Sequence, residues 1–134
     1  MAVVLDSDSV VGFLDRDDAL HDAADLAIRD LIGTHRLLVS AVTYAEVLTG
    51  ARLGHHDEVV VGGFFGDLIS AILPVDAAIA DRAAELRSRF RSLRMPDALI
   101  LASADADPSV DLIVTGDQQM AKVSGLSCTV RLLG

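Results

Sequence analysis

Arg94-Met95-Pro96-Asp97-Ala98-Leu99-Ile100 decides how this chain is read. Proline fixes φ and pushes the residue before it away from helical backbone, so the stretch marks a helix start. The apolar run from Ala98 to Ala104 carries the helix on, and it is expected to begin at Asp97. Aspartate is a favoured helix cap, so Asp97 taken alone needs no catalytic explanation. The position gains weight because Asp6, Glu46 and Asp117 recur at comparable junctions between a strand and a helix.

Reading outward, Ala2-Val3-Val4-Leu5 is a continuous apolar run, the pattern of a strand covered on both faces. It meets Asp6-Ser7-Asp8-Ser9, where Asp8 is expected to cap a short helix over Val10 to Leu14. Leu20, Ala23, Ala24, Ala27, Ile28 and Leu31 recur at helical spacing between Asp18 and Ile32, with Gly33 as the stop. Arg36 to Val39 reads as a second strand, and Ser40 to Gly50 as a helix ended by Gly50. Thr43 and Glu46 fit a capping box, so Glu46 reads equally as a cap partner or as a ligand.

His55 and His56 are adjacent and so do not share a helical face; without a Cys or HxxxH partner they open a solvated segment. Glu58 to Ala71 is expected to be helical, although Gly62, Gly63 and Gly66 cost up to ~1 kcal/mol each relative to alanine. Ile72-Leu73-Pro74-Val75 is a short strand whose proline suits an edge or a strand end. Asp76 should cap a helix over Ala77 to Leu93, with Ile79, Ala83, Leu86, Phe90 and Leu93 as its apolar stripe. Arg82 and Arg89 flank that stripe on one side, and Arg87, Arg91 and Arg94 on the other. The arginines form either a solvated face or a ridge turned to phosphate. Leu112-Ile113-Val114 is a buried strand running into Thr115-Gly116-Asp117, followed by a helix over Gln118 to Val123 and a strand over Ser127 to Leu133. Alternating strands and helices imply an α/β fold: a central, mostly parallel sheet of four to five strands with helices on both faces. At 134 residues, positions 1–134 are read as one domain with a sizeable core.

A hydrophobic content of 51% excludes a disordered chain. The net charge of −9 argues against a protein that holds nucleic acid by overall attraction, and suits one that holds cations or a basic partner. The single Cys128 cannot form an internal disulfide, so a reducing cytoplasm is expected. Asp6 interrupts the first apolar run and Asp67, Pro74 and three glycines break the longest one, so neither a signal segment nor a membrane span is expected.

In open α/β sheets ligands bind beyond the carboxyl ends of the strands, where all four acidic junctions would fall. Converging carboxylates repel unless protonated or neutralised by a cation, and hard oxygen ligands select Mg²⁺ or Mn²⁺ over zinc. The chemistry that remains is metal-assisted hydrolysis, most naturally of a phosphodiester.

Val4-Leu5-Asp6-Ser7, Ser40 to Gly50, Pro96 to Ala102 and Val114-Thr115-Gly116-Asp117 resemble, in order, the four acidic motifs of PIN-domain ribonucleases, and among these the VapC toxins of bacterial toxin–antitoxin pairs. The resemblance implies an α/β/α sandwich and a Mg²⁺-dependent endoribonuclease whose acidic quartet matches Asp6, Glu46, Asp97 and Asp117. Thr115, Ser7 and Asp8 would be accessory, Asp8 standing where the family often has serine or asparagine. Arg87, Arg91 and Arg94 would contact RNA or antitoxin. It also implies a homodimer, silenced by a VapB-type antitoxin that places a C-terminal segment in the acidic cleft.

Val3 to Val10 also resembles the DxDx(T/V) motif of haloacid-dehalogenase phosphatases, with Asp6 as nucleophile. Against that, the only lysine, Lys122, follows Asp117, whereas that family places a lysine before its final acids. A PIN fold serving as a silent binding scaffold is the non-enzymatic alternative.

Overall fold

A computed structural model describes the chain from Met1 to Gly134. The strands β1 (Ala2–Leu5), β2 (Arg36–Ser40), β3 (Ile69–Leu73), β4 (Val110–Thr115) and β5 (Thr129–Leu132) form one sheet in the order β3-β2-β1-β4-β5. Every pairing is parallel. The helices are α1 (Ser7–Leu14), α2 (His21–Ile32), α3 (Ala41–Arg52), α4 (Glu58–Gly63), α5 (Ala77–Arg89), α6 (Met95–Ala106) and α7 (Gln118–Ala121). None is long and apolar enough to cross a membrane.

β1 is buried at every residue because both sheet faces are covered, and its side chains alternate between two cores. Val3 and Leu5 pack with Val10, Ala24, Ile28, Val47 and Val61 from α1 to α4. Ala2 and Val4 pack with Ala83, Leu86, Leu101 and Met120 from α5, α6 and α7. The expected α/β/α sandwich is therefore present. Since β1 sits between β2 and β4, the connections reverse direction at the β1–β4 boundary, the place where such sheets open a cleft.

Several local expectations are corrected. α1 begins at Ser7 under an Asp6 cap, so Asp8 lies inside its first turn and caps nothing. α3 starts after a Ser40 cap, which places Thr43 and Glu46 beyond capping range; the capping-box reading of Glu46 fails. Gly50 does not end that helix, which runs on to Arg52; its bare Cα lets the His56 ring lie against the backbone. α4 stops at Gly63 and gives way to a π-helical turn, Phe64–Leu68, before β3 begins at Ile69. Pairing with β2 overrides the helical reading of Ile69 to Ala71 and extends the strand expected at Ile72 back to Ile69. Inside the turn, Phe64 and Phe65 stack edge-on at 5.3 Å and reach Phe13 and Tyr44. α5 ends at Arg89, because the Arg87 side chain turns the chain by donating Nε to the Leu93 carbonyl at 2.8 Å. Pro74 directly follows β3, which is an edge strand, as its chemistry requires.

The far end of α6 is tied to the loop before β5 through Asp105. Its carboxylate accepts from Ser127 N–H at 2.6 Å and from Arg82 Nε at 3.0 Å. Burial alone would raise this carboxyl, but the Ser127 N–H and the Arg82 guanidinium outweigh it and hold the group below its ordinary value. A depressed acid stabilises the fold above its ordinary pKa and loses that contribution as pH falls through the folded value. Asp105→Ala should therefore cost about 1–3 kcal/mol at pH 7, with the deficit shrinking in more acidic urea titrations. A deficit unchanged down to pH 2 would remove Asp105 from this role.

Candidate active site

The carboxyl ends of the strands bring the acidic junctions to one edge. Asp6 continues β1 and is 2% exposed. Its Oδ1 accepts from the Ser9 backbone N–H at 2.8 Å and lies 2.6 Å from Ser9 Oγ. Its Oδ2 accepts from Thr115 Oγ1 at 2.5 Å, across the β1–β4 boundary. Burial raises the Asp6 carboxyl above its ordinary range, and these hydrogen bonds only partly offset it.

Thr115 ends β4 and also receives the Asp117 N–H at 2.9 Å, which fixes the turn leading to the fourth acid. Asp117 caps α7 with one oxygen, accepting from Gln119 N at 2.7 Å, while its Oδ2 faces Arg94. Between them Gly116 lies so close to Asp8 of α1 and to Leu20 before α2 that an added Cβ would crowd Asp8 and force the Leu20 methyl to move.

Asp97 is not the helix cap the sequence suggested. Arg94 holds that position with its backbone, Pro96 lies inside the first turn, and Asp97 is free of capping duty. Its side chain, 10% exposed, meets Arg94 Nε at 3.1 Å. Burial raises its carboxyl, with Arg94 opposing the shift and Asp117 and Asp8 adding to it. Glu46 is exposed on α3 and accepts the Ser7 hydroxyl at 2.6 Å. Ser7 in turn lies 3.3 Å from the buried Thr43 hydroxyl. Asp8 is raised by burial and by the nearby charge of Asp117, with Asp18 and Glu46 contributing.

Two sets of polar contacts thus lie along this edge: Glu46, Ser7 and Thr43 between α1 and α3, and Asp6, Thr115, Asp117, Arg94 and Asp97 across the β1–β4 boundary, with Ser7 next to Asp6 in sequence. Asp6, Asp97, Asp117 and Thr115 lie on the second set and Glu46 and Ser7 on the first, while the Asp8 side chain bonds to neither. No three acid, histidine or cysteine side chains close into a ready cation cage. The acids share one edge, and a guanidinium lies between two of them.

Ser9 and Thr43 were missed in the sequence. Ser9 had a legible signal, a hydroxyl three residues after an acidic strand end; Thr43 had none beyond its place one turn before Glu46. Of the arginines, Arg87 spends Nε inside the fold, Arg94 is on the acids, and Arg91 is exposed without a hydrogen bond or ion pair. The largest cavity lies elsewhere, among Leu73, Asp76, Ile79 and Pro108, and contains none of these acids.

A PIN domain model matches residues 3–126, nearly the whole chain. The chain belongs to the PIN domain family. Among solved structures, the PIN chain is similar to VapBC2 from Rickettsia felis bound to a promoter DNA fragment, with TM-score 0.76, 16% identity and 100% of both chains covered. It is also similar to a toxin–antitoxin complex from Klebsiella pneumoniae, with TM-score 0.71 and 23% identity over 97% of this chain and 96% of that one. A third likeness is to VapC20 from Mycobacterium tuberculosis, described as a sarcin–ricin loop cleaving toxin, with TM-score 0.67 and 16% identity over 89% and 92%. No curated protein matches the chain in sequence. Membership in the PIN family replaces the phosphatase reading of Asp6.

The electrostatics of this PIN site carry a prediction. A carboxyl raised by burial favours the folded state fully only below its unfolded pKa, and that contribution is lost as pH rises through the folded value. Asp97→Asn should therefore melt at or above the wild-type temperature at pH 7.5 without divalent cations, and the gain should fade toward pH 4. A mutant melting several degrees lower at pH 7.5 would contradict this.

Proposed function

We propose that this PIN domain is a Mg²⁺-dependent endoribonuclease, with Mn²⁺ able to substitute, and the toxin of a type II toxin–antitoxin pair. The observation that supports it most is the set of contacts joining Asp6, Asp97 and Asp117 at the β1–β4 boundary, with Glu46 bonded to Ser7, the residue next to Asp6. The donor set suits a hard divalent cation: carboxylate oxygens without sulfur or imidazole, with Asp6 and Asp97 raised by burial so that a nearby positive charge favours their ionised forms. Asp6, Glu46, Asp97 and Asp117 would hold the ion. When bound, it supplies charge neutralisation and Lewis acidity at the phosphodiester.

The chain's own groups divide the remaining work. Ser9 and Thr115 hold Asp6 from two sides and keep its carboxylate in one orientation. Glu46 has one oxygen on Ser7 and the other without a partner in the chain, the arrangement of a group that can take a proton from an attacking water. Asp8 adds negative charge behind the site. Arg91, exposed and unpaired, supplies a phosphate contact at the rim.

The similar structures include a toxin–antitoxin complex and a toxin that cleaves the sarcin–ricin loop, which supports a cognate VapB-type antitoxin and an RNA substrate. A chain of net charge −9 with an open acidic edge attracts a basic inhibitory segment. Exposed Leu53, Val59 and Val60 around the α3–α4 connection offer apolar surface for a homodimer. The setting is the cytoplasm, where RNA and antitoxin are met.

Incubating the purified protein with total RNA in Mg²⁺ or Mn²⁺, without antitoxin, tests the reading. Wild type should generate discrete new RNA ends. Thr115→Val should lose activity by roughly 10–100-fold, as expected for a group that orients a ligand, and Asp97→Asn by more. Uncut RNA shifted in a gel by the wild type would point instead to a binding scaffold, and Asp97→Asn cutting at full rate would end the nuclease reading.

A further inference from the structure

Two arginines near α5 and α6 are held in opposite ways. Arg82 is locked, donating to Asp105 at 3.0 Å, to Glu85 at 2.9 Å and to the Gly125 carbonyl at 3.1 Å, with 24% of its side chain exposed. Arg94 has 69% of its side chain exposed and touches only acids of the candidate site: Asp97 at 3.1 Å and Asp117 at 3.7 Å. Its guanidinium has no carbonyl, hydroxyl or aromatic ring to hold it.

The location is specific. Arg94 immediately precedes α6, one turn ahead of Asp97, and its Nη2 spans to the acid that caps α7. The two ends of the guanidinium therefore join acids from separate elements. Three carboxyls, Asp8, Asp97 and Asp117, act on this one positive charge, which offsets only part of the repulsion among them. Asp117 Oδ1 is committed to capping α7, so a cation bound between Asp97 and Asp117 would meet Asp117 through Oδ2, the oxygen that faces Arg94.

We propose that Arg94 is a built-in counter-ion that competes with the divalent cation for Asp97 and Asp117, holding these acids together in the empty site and swinging out when the ion binds. This rests on the proposed metal-dependent reading of the site. Arg94 is thereby a positioning residue that sets the cation concentration at which the site fills. Its long exposed stem leaves it free to turn toward a bound phosphate once displaced.

Mn²⁺ titrations by calorimetry on the full chain test this, comparing wild type with Arg94→Met and with Arg29→Met, which removes an equal charge from the Asp25 pair on α2. Arg94→Met should bind Mn²⁺ about tenfold tighter, and Arg29→Met nearly as wild type. In parallel, the Arg94 Nε–Hε signal should move in wild-type NMR spectra as Mg²⁺ saturates the site. Equal or weaker Mn²⁺ binding by Arg94→Met, or an Nε signal that stays fixed through saturation, overturns the proposal while leaving the metal site standing. A wild type and an Arg94→Met variant that both bind no divalent cation would overturn it together with the metal-dependent reading.

Discussion

The hydrogen bond from Thr115 to Asp6 joins residues 109 positions apart, and the rest of the site depends on it. It crosses the boundary where the sheet reverses its order, so it ties the two halves of the fold at the point where they would otherwise splay. Asp6 is nearly inaccessible, and a buried carboxylate without partners would be strongly unfavourable. Ser9 from α1 and Thr115 from β4 satisfy it from opposite sides, and Thr115 then anchors the Asp117 N–H. One constraint thus fixes two acids, and through Arg94 reaches a third.

This arrangement sets stability against chemistry. Burial raises Asp6, Asp8 and Asp97, so the folded chain holds charges where they are costly. A fold selected only for stability would place apolar or neutral side chains there. The strained electrostatics are tolerable because the surrounding core is dense: β1 is fully covered, and the two faces of the sheet carry separate buried clusters. Sites that bind or react with charged ligands are commonly built this way, with the destabilised groups on a rigid scaffold.

Much of this was legible from residues alone. β1 and the middle of β4 read as strands because both faces are buried, and the acids at their ends follow from the polarity break. The parallel sheet followed from alternation. What was not legible depended on tertiary choices. Pairing with β2 turned Ile69 to Ala71 from expected helix into strand, ahead of the expected strand at Ile72, and a π-helical turn made the switch. The caps lie two residues before Asp8, at Asp6, and three before Asp97 and Thr43, at Arg94 and Ser40. Those corrections strengthen the functional reading for Asp97 and Glu46, which are freed from capping. Asp6 and Asp117 do cap helices, and each also turns an oxygen toward a site partner. The position of Arg94 between two acids could not be read from spacing, since it needs the turn from β4 into α7 to come close.

The central claim is that four acids distant in the chain form one cation-binding centre. Paramagnetic broadening by substoichiometric Mn²⁺ in amide NMR spectra tests it without requiring any activity. The account predicts that signals of Asp6, Glu46, Asp97 and Asp117 fade first and together, while those of Asp57 and Asp76, acids that cap α4 and α5, persist. Broadening centred on another group of acids, or spread evenly over the surface, would contradict it.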